Sequence, residues 1–376
     1  MEVKYRRVFE TLRSEILRGK YSSNSVFPSV AMLIRRFGIS NLTAVKVMSK
    51  LKEEGLVCSY QGRGTFVTRR GMSRLIGLVV PGISHSSEFF QPIVAELIRK
   101  AQEFDYTLLM DGTWSSDASD NGREAIEVAA HFIRRKVAGV IYQPVENFKD
   151  SESVNRRVLS AFSKAGIPVV LLDGDIVPMP SRSEYDLVSI DNVGAGEFLA
   201  AHLQECGARQ IRFLMRGSAG HNVENRVKGV VNAVRGKGGT WRPSNVLKID
   251  PSDREAVRKM LRKRPRPDAF ICENDVLAAK LMKTLIALGF SVPGDFLLAG
   301  FDDIQIARLS MPGITTIHQP CDVIAATAFS RLVERIAKPK LPALHLMARH
   351  SLVVRGSTVA NRRVAGIAQG KKKGRK

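Results

Sequence analysis

The chain has 376 residues, of which 44% are hydrophobic and 25% charged, and it carries a formal net charge of +22. At roughly 100–200 residues per domain this length holds two or three domains with ordinary apolar cores. No run reaches the roughly 18 apolar residues of a membrane span, and the opening MEVKYRRVFETLRSEIL lacks the apolar stretch of a secretory signal.

The charge is uneven. Residues 1–74 hold 15 Lys and Arg against 5 Asp and Glu, and residues 358–376 hold 7 Lys and Arg with no acid. Concentrated basic charge is the footprint of a polyanion binder. Tyr5, Val8, Phe9, Leu12, Ile16 and Leu17 recur at helical spacing and define a first amphipathic helix, stopped by Gly19. In FPSVAMLIRRFGIS, Ser29 is the expected cap of a second helix with Met32, Leu33 and Phe37 on its apolar face and Gly38 closing it. Ser40 is the expected cap of a third helix, burying Ala44, Val47, Met48 and Leu51 and presenting Asn41, Leu42, Val45, Lys46 and Ser49. So short a turn between the second and third helices is a helix-turn-helix. GLVCSYQGRGTFVT then reads as a two-stranded wing whose tip places Arg63 between Gly62 and Gly64. The third helix is expected in a DNA major groove, with Arg63 reaching a phosphate or an adjacent groove.

Residues 4–68, and EGLV followed by GRGTFV above all, resemble the DNA-binding domain of the gluconate-repressor (GntR) family. The resemblance implies DNA contacts from Ser29, Ser40, Asn41, Leu42, Thr43, Val45, Lys46, Gly62, Arg63 and Gly64. It also marks departures: Ala31, Asn41 and Val45 stand where the family usually has arginine. Asn41 suits adenine and Val45 a thymine methyl, so the operator is expected to differ from the common family sequence.

TRRGMSRL joins this unit to a different texture, residues 71–74 being a short basic linker. From Leu75 onward, the apolar runs IGLVV, YTLLM, AGVIYQ, PVVLLD, VSID, IRFLM, VLKID, AFICEN and FLLAGF alternate with helical stretches such as EFFQPIVAELIRKAQEF and NDVLAAKLMKTLIALGF. Such alternation means doubly wound parallel sheets. Nine strands over this length call for two sheets, with a ligand cleft at their carboxyl ends and hinge closure as the expected motion. The fold class is therefore α/β: an N-terminal winged helix plus a two-lobed doubly wound parallel-sheet domain.

The stretch ICENDVLAAKLMKTLIALGFSVPGDFLLAGFDDIQIARLSMPGITTIHQP, with NRVKGVVNAV and VLLDGD, resembles the periplasmic-binding-protein-like effector domain of the lactose-repressor (LacI/GalR) family over about residues 75–357. Fused to a GntR-type winged helix, it looks like the arabinose-repressor architecture. The resemblance implies effector contacts from His85, Phe89, Phe90, Asp173, Asn222, Arg226, Asn274, Asp302 and Gln319, a set suited to a polyol. Phe89 and Phe90 fit a ligand face or the core equally, and Asp191 and Asp303 read as caps or braces. Trp114 and Trp241 read as ordinary loop residues.

Neither a P-loop nor G-x-S-x-G occurs, and Cys58, Cys206, Cys272 and Cys321 stand apart without metal or disulfide spacing. No enzyme activity, cofactor or metal is expected, and a reducing cytoplasm is the expected location. VAGIAQGKKKGRK, within residues 358–376, is expected to be a disordered basic tail. The residues thus point to domains at 1–70 and 75–357. They point to a homodimeric repressor of carbohydrate-utilisation genes that binds double-stranded DNA at a palindromic operator and is released by a sugar or polyol. A stand-alone solute-binding protein is the alternative; it lacks an export signal and would not need the DNA-binding module.

Overall fold

The computed structural model describes residues 2–17, 20–21, 25–60, 62–68, 75–80, 88–112, 118–146, 148–217 and 219–359. The helix stop at Gly19, the linker 71–74, His85, Trp114 and residues 360–376 of the tail lie outside these.

Three helices make the N-terminal core: α1 (Glu2–Leu17), α2 (Val30–Phe37) and α3 (Asn41–Glu53). Leu12, Ile16, Leu33, Val47 and Leu51 meet there, fully buried. Both inner helices start where the serines dictate. Ser29 Oγ accepts the Met32 N–H and Ser40 Oγ accepts the Thr43 N–H, each at 3.3 Å. Gly38, at φ 58°, turns the chain out of α2. The wing pairs β1 (Val57–Tyr60) with β2 (Gly64–Val67) antiparallel, and Val26 bridges to Phe66 on the outer side. One expectation for α2 is corrected: Met32 is 58% exposed. An eight-residue helix buries a single stripe, and Val30, Leu33, Ile34 and Phe37 fill it, so Met32 turns away.

The second region has two lobes. The first runs β3 (Leu75–Val79), α4 (Phe90–Glu103), β4 (Thr107–Met110), α5 (Ala118–Arg134), β5 (Gly139–Tyr142), α6 (Ser151–Lys164), β6 (Val169–Leu172) and β7 (Asp186–Ile190). From α7 (Asn192–Glu205) the chain enters the second lobe. That lobe holds β8 (Ile211–Leu214), α8 (His221–Gly236), β9 (Val246–Leu247), α9 (Arg254–Arg262), β10 (Ala269–Cys272), α10 (Asp275–Ala287), β11 (Leu297–Asp302), α11 (Gln305–Leu309) and β12 (Thr315–His318). It returns through α12 (Cys321–Ala337) and β13 (His345–Ala348) to the first lobe and ends with β14 (Ser351–Val353) in the second. The first sheet, ordered β13-β7-β6-β5-β3-β4, is wholly parallel; the second, β14-β12-β11-β10-β8-β9, is parallel except for β14. The chain thus crosses between the lobes three times, after β7, β12 and β13, which defines a hinge.

Strands β3 to β11 coincide with the nine apolar runs of the sequence. Strands β12, β13 and β14 carry polar residues within their few positions, so no apolar run announces them. The return of α12 is fixed by charge: buried Asp186 accepts from Arg331 Nε at 2.9 Å and pairs with Arg335 at 2.7 Å. The packed domain also extends past the expected boundary at 357. Thr358 is buried, its hydroxyl 2.7 Å from that of Thr315, because the last residues seal the edge beside β12.

Candidate functional site

Two sites emerge, one in each region. On the winged helix, α3 leaves Asn41, Leu42, Val45 and Lys46 exposed, with Leu42 84% accessible. Leu42 and Val45, the latter 48% accessible, stand one turn apart on this face. Lys46 Nζ lies over the Tyr5 ring at 5.0 Å, which directs its charge along the same face. Ser29 and Ser40 are engaged as helix caps, and Thr43 shares the second cap through a 2.9 Å contact with Ser40. At the wing tip Gly62 and Gly64 take φ 74° and 102°, conformations that L side chains resist, and Arg63 between them is exposed. Its backbone N–H closes the turn onto the Tyr60 carbonyl at 3.1 Å, so the guanidinium is presented by a fixed hairpin.

The second site collects at the carboxyl ends of strands from both lobes. Asp173 follows β6, Asp302 ends β11, Gln319 follows β12, and Asn222 and Arg226 lie on the first turns of α8. Arg226 is 4% exposed. Its Nε donates to Asn192 Oδ1 at 2.9 Å and its Nη1 to the Glu273 carbonyl at 2.7 Å. Its Nη2 stands 3.9 Å from Asp302 Oδ1, and its plane covers the Phe301 ring at 4.5 Å. Gln319 Nε2 donates to Asp302 at 2.8 Å. Asn222 Nδ2 donates across the cleft to Asp173 at 2.7 Å, joining second lobe to first. Asp173 and Asp302 hold φ at 68° and 105°. Left-handed backbone at two acidic strand ends is strained for residues that carry a side chain.

Backbone contact sets the register of this cluster. A side chain on Gly196 would run into the Arg226 carbonyl, and one on Gly229 into the Val193 carbonyl. Glycine at both positions lets α7 and α8 touch, which brings Asn192 to Arg226.

Electrostatics sharpen the picture. Burial pushes the Asp302 carboxyl up to about 6, with Arg226 opposing and Asp173 adding to the rise. Burial likewise raises Asp173, against the pull of Arg226 and Asn222. A group absent from the expected set, Glu146 after β5, is pushed up to about 8 by burial and then by Asp173, while Arg216 and Arg226 act against the shift.

Of the expected effector residues, the structure brings together Asp173, Asn222, Arg226, Asp302 and Gln319. Asn274 lies beside them, but its Oδ1 caps α10 by accepting from Leu277 N–H at 2.9 Å. Phe89 and Phe90 are both buried in the core, edge to face with centroids 4.8 Å apart. Asp191 caps α7, and Asp303 is braced by Arg308, His318 and Arg355. Trp241 packs partly buried against the core. Sequence reasoning missed Glu146, Asn192, Arg216 and Glu273. The acid directly before Asn274 in ICENDV was the only available signal. Buried Glu273 takes the Arg216 guanidinium and, at 2.8 Å, its backbone N–H.

Among the described residues no group of His, Cys, Asp and Glu could hold a metal, and no helix is long and apolar enough to cross a membrane. What the cleft can do is bind a small polar molecule between lobes that a hinge allows to move.

Residues 4–67 match the family of bacterial regulatory proteins called gntR, and residues 200–358 match the periplasmic binding protein-like domain. The arabinose metabolism transcriptional repressor of Geobacillus stearothermophilus is 26% identical over 368 residues, covering 94% of this chain and 97% of that protein. The HTH-type transcriptional repressor PurR of Aliivibrio fischeri is 28% identical over 305 residues, covering 77% of this chain and 82% of the relative. A solved complex of the transcriptional regulator CelR with cellobiose shares the fold, with a TM-score of 0.65 at 20% identity over 88% of this chain and 100% of that one. A putative LacI-family regulator of Sanguibacter keddieii gives a TM-score of 0.60 at 26% identity, over 76% of this chain and 98% of that one.

Proposed function

We infer that this chain, which joins a gntR-type DNA-binding domain to a periplasmic-binding-protein-like domain, is a ligand-responsive transcriptional repressor. The observation that carries the reading is the union of an exposed recognition face with a cleft whose charged groups come from both lobes of a hinged domain. Ligand held between Asp173 of the first lobe and Asn222, Arg226, Asp302 and Gln319 of the second stabilises one lobe arrangement over another. Differential affinity for two arrangements is the only way a ligand can shift DNA binding. The effector is a sugar or related polyol, in keeping with amides, carboxyls and a guanidinium that accept from and donate to hydroxyls. The operator is palindromic, because one winged helix reads few base pairs and a two-fold homodimer reads two half-sites. The protein works in the cytoplasm and acts on carbohydrate-utilisation genes.

The test selects bound duplexes from a random pool with the full-length protein, then repeats binding with each of a panel of monosaccharides and polyols. A palindrome released by one panel member supports the reading. An asymmetric site, or binding that no carbohydrate alters, overturns it.

A further inference from the structure

This inference rests on the reading of the winged helix as a DNA-binding unit and names what its third helix recognises. Helix α3 has two faces. Ala44, Val47, Met48 and Leu51 fill the inner one, all of them buried. Leu42 and Val45 are the two large apolar side chains that α3 leaves exposed, and neither belongs to the core of the winged helix. Helix stability does not call for Val45 either, since a β-branched residue is a weaker helix former than alanine, lysine or arginine.

Several polar groups beside this pair are engaged within the module. The hydroxyls of Ser40 and Thr43 meet at 2.9 Å in the helix cap, Lys46 Nζ lies over the Tyr5 ring, and Lys50 pairs with Glu53 at 3.0 Å. Asn41 and Val45 stand where arginine is usual in the gntR family, so an apolar pair occupies a face that is otherwise a charged reader. The same module exposes Arg35 on α2, Lys46 and Lys50 on α3 and Arg63 on the wing. Cations on three elements around an apolar pair fit the phosphates of a duplex whose bases the pair meets.

We propose that Leu42 and Val45 together read two thymine 5-methyl groups in each half-site of the operator. The second helix of a helix-turn-helix lies in the major groove with its N-terminal residues against base edges, and Leu42 and Val45 lie in the first turns of α3. Thymine is the base that shows an apolar group there. Guanine, cytosine and adenine present donors and acceptors, which a leucine or valine would desolvate without replacing their hydrogen bonds. Residues three positions apart are separated by about 4.5 Å along a helix axis, and successive base pairs by about 3.4 Å. The two methyls therefore belong to adjacent or next-adjacent base pairs. Phosphate contacts supply affinity and register, and the apolar pair supplies the sequence preference.

The experiment titrates the full-length protein, by fluorescence anisotropy, against the duplex it selects from a random pool. Each thymine is replaced in turn by deoxyuridine, symmetrically in both half-sites. Deoxyuridine keeps every hydrogen-bonding group of thymine and lacks only the methyl. At two positions per half-site, no more than two base pairs apart, binding should weaken by about fourfold for each methyl removed, which corresponds to about 0.8 kcal/mol. Leu42→Ala should make one of these positions indifferent to the replacement, and Val45→Ala the other. Both positions are exposed and alanine favours a helix, so the variants test contact rather than folding. A parent protein indifferent to deoxyuridine at every thymine overturns the proposal and leaves DNA binding standing. A methyl effect that persists undiminished in both variants also overturns it, by assigning the contact to another residue. If the pool yields no preferred duplex, sequence-specific DNA binding falls and this proposal with it. Should a variant bind too weakly to titrate, the parent's scan decides: sensitive thymines at the stated spacing support the proposal, and wider spacing overturns it.

Discussion

Arg226 holds together groups that are 110 residues apart in the chain, from Asn192 through Glu273 to Asp302 at strand ends and helix starts of the second lobe, and Asp302 in turn reaches Gln319. Its burial makes it both a sensor residue and a structural one. Hydrogen bonds to charged partners contribute roughly 1.5–3 kcal/mol each. Arg226→Ala is therefore expected to weaken the effector by about tenfold to a hundredfold and to leave operator binding intact, giving a repressor that no longer releases. Removing a buried cation beside Asp302 and Asp173 also leaves carboxyls uncompensated, so the melting temperature should drop as well. Operator binding with and without saturating effector separates the two effects. A variant that responds to the same effector concentration as the parent would place the sensor elsewhere.

At the scale of elements, the wing and the α7–α8 pair each make a testable statement. Arg63 sits on a hairpin fixed by two positive-φ glycines and a backbone hydrogen bond, so its truncation should change contacts with DNA and nothing in the fold. If it meets a phosphate, Arg63→Ala lowers operator affinity and reduces the slope of log affinity against log salt by about one. Effector affinity should not move. An unaltered slope with full affinity would put Arg63 away from the duplex. For the helix pair, Gly229→Ala drives a methyl group into the Val193 carbonyl. The helices must separate, and Arg226 loses its register with Asn192. The expected outcome is a chain that binds operator but needs at least tenfold more effector, although residue 229 touches no ligand. Normal effector affinity in a folded Gly229→Ala would mean that the contact does not position Arg226.

For the whole molecule, the carboxyls buried between the lobes link closure to pH. Glu146 is raised from 4.5 to about 8 and Asp302 from 3.8 to about 6, so the closed form holds protons that an open or unfolded form would release. Their contribution is complete below about pH 4 and is lost as pH rises through about 6 for Asp302 and about 8 for Glu146. The half-buried histidines His202, His345 and His350, pushed below 6.5 by desolvation, work in the opposite direction, and their effect is finished once pH exceeds that value. Glu146 titrates between about pH 7 and 8.5, beside Asp173 and Asp275, whose carboxyls burial also raises. Without added effector, the melting temperature should fall across that interval, and Glu146→Gln should flatten the fall. Equal slopes in parent and variant would show that the Glu146 environment opens before it titrates.

By itself the sequence determined the winged helix almost to the residue. Ser29, Ser40 and Gly38 act on hydrogen bonds three or four positions away, and Ala44, Val47, Met48 and Leu51 bury one face of a single helix. Such signals are short in range and survive reading in one dimension. It also determined nine of the strands, since most of them, such as β5, β6, β8 and β10, are buried on both faces and must be apolar runs. Met32 was misjudged because apolar character does not say which of two adjacent residues faces in. Tertiary structure alone decided β12, β13 and β14, the burial of Thr358 and, above all, the composition of the cleft. Glu146 and Glu273 look like ordinary surface acids in the chain. They matter only because five strand ends and the start of α8 meet there, excluding water and placing carboxyls from both lobes around Arg226. Desolvation and mutual charge depend on distance in space, and residues 146, 173, 226, 273, 302 and 319 acquire that proximity only when the two sheets are wound and hinged together.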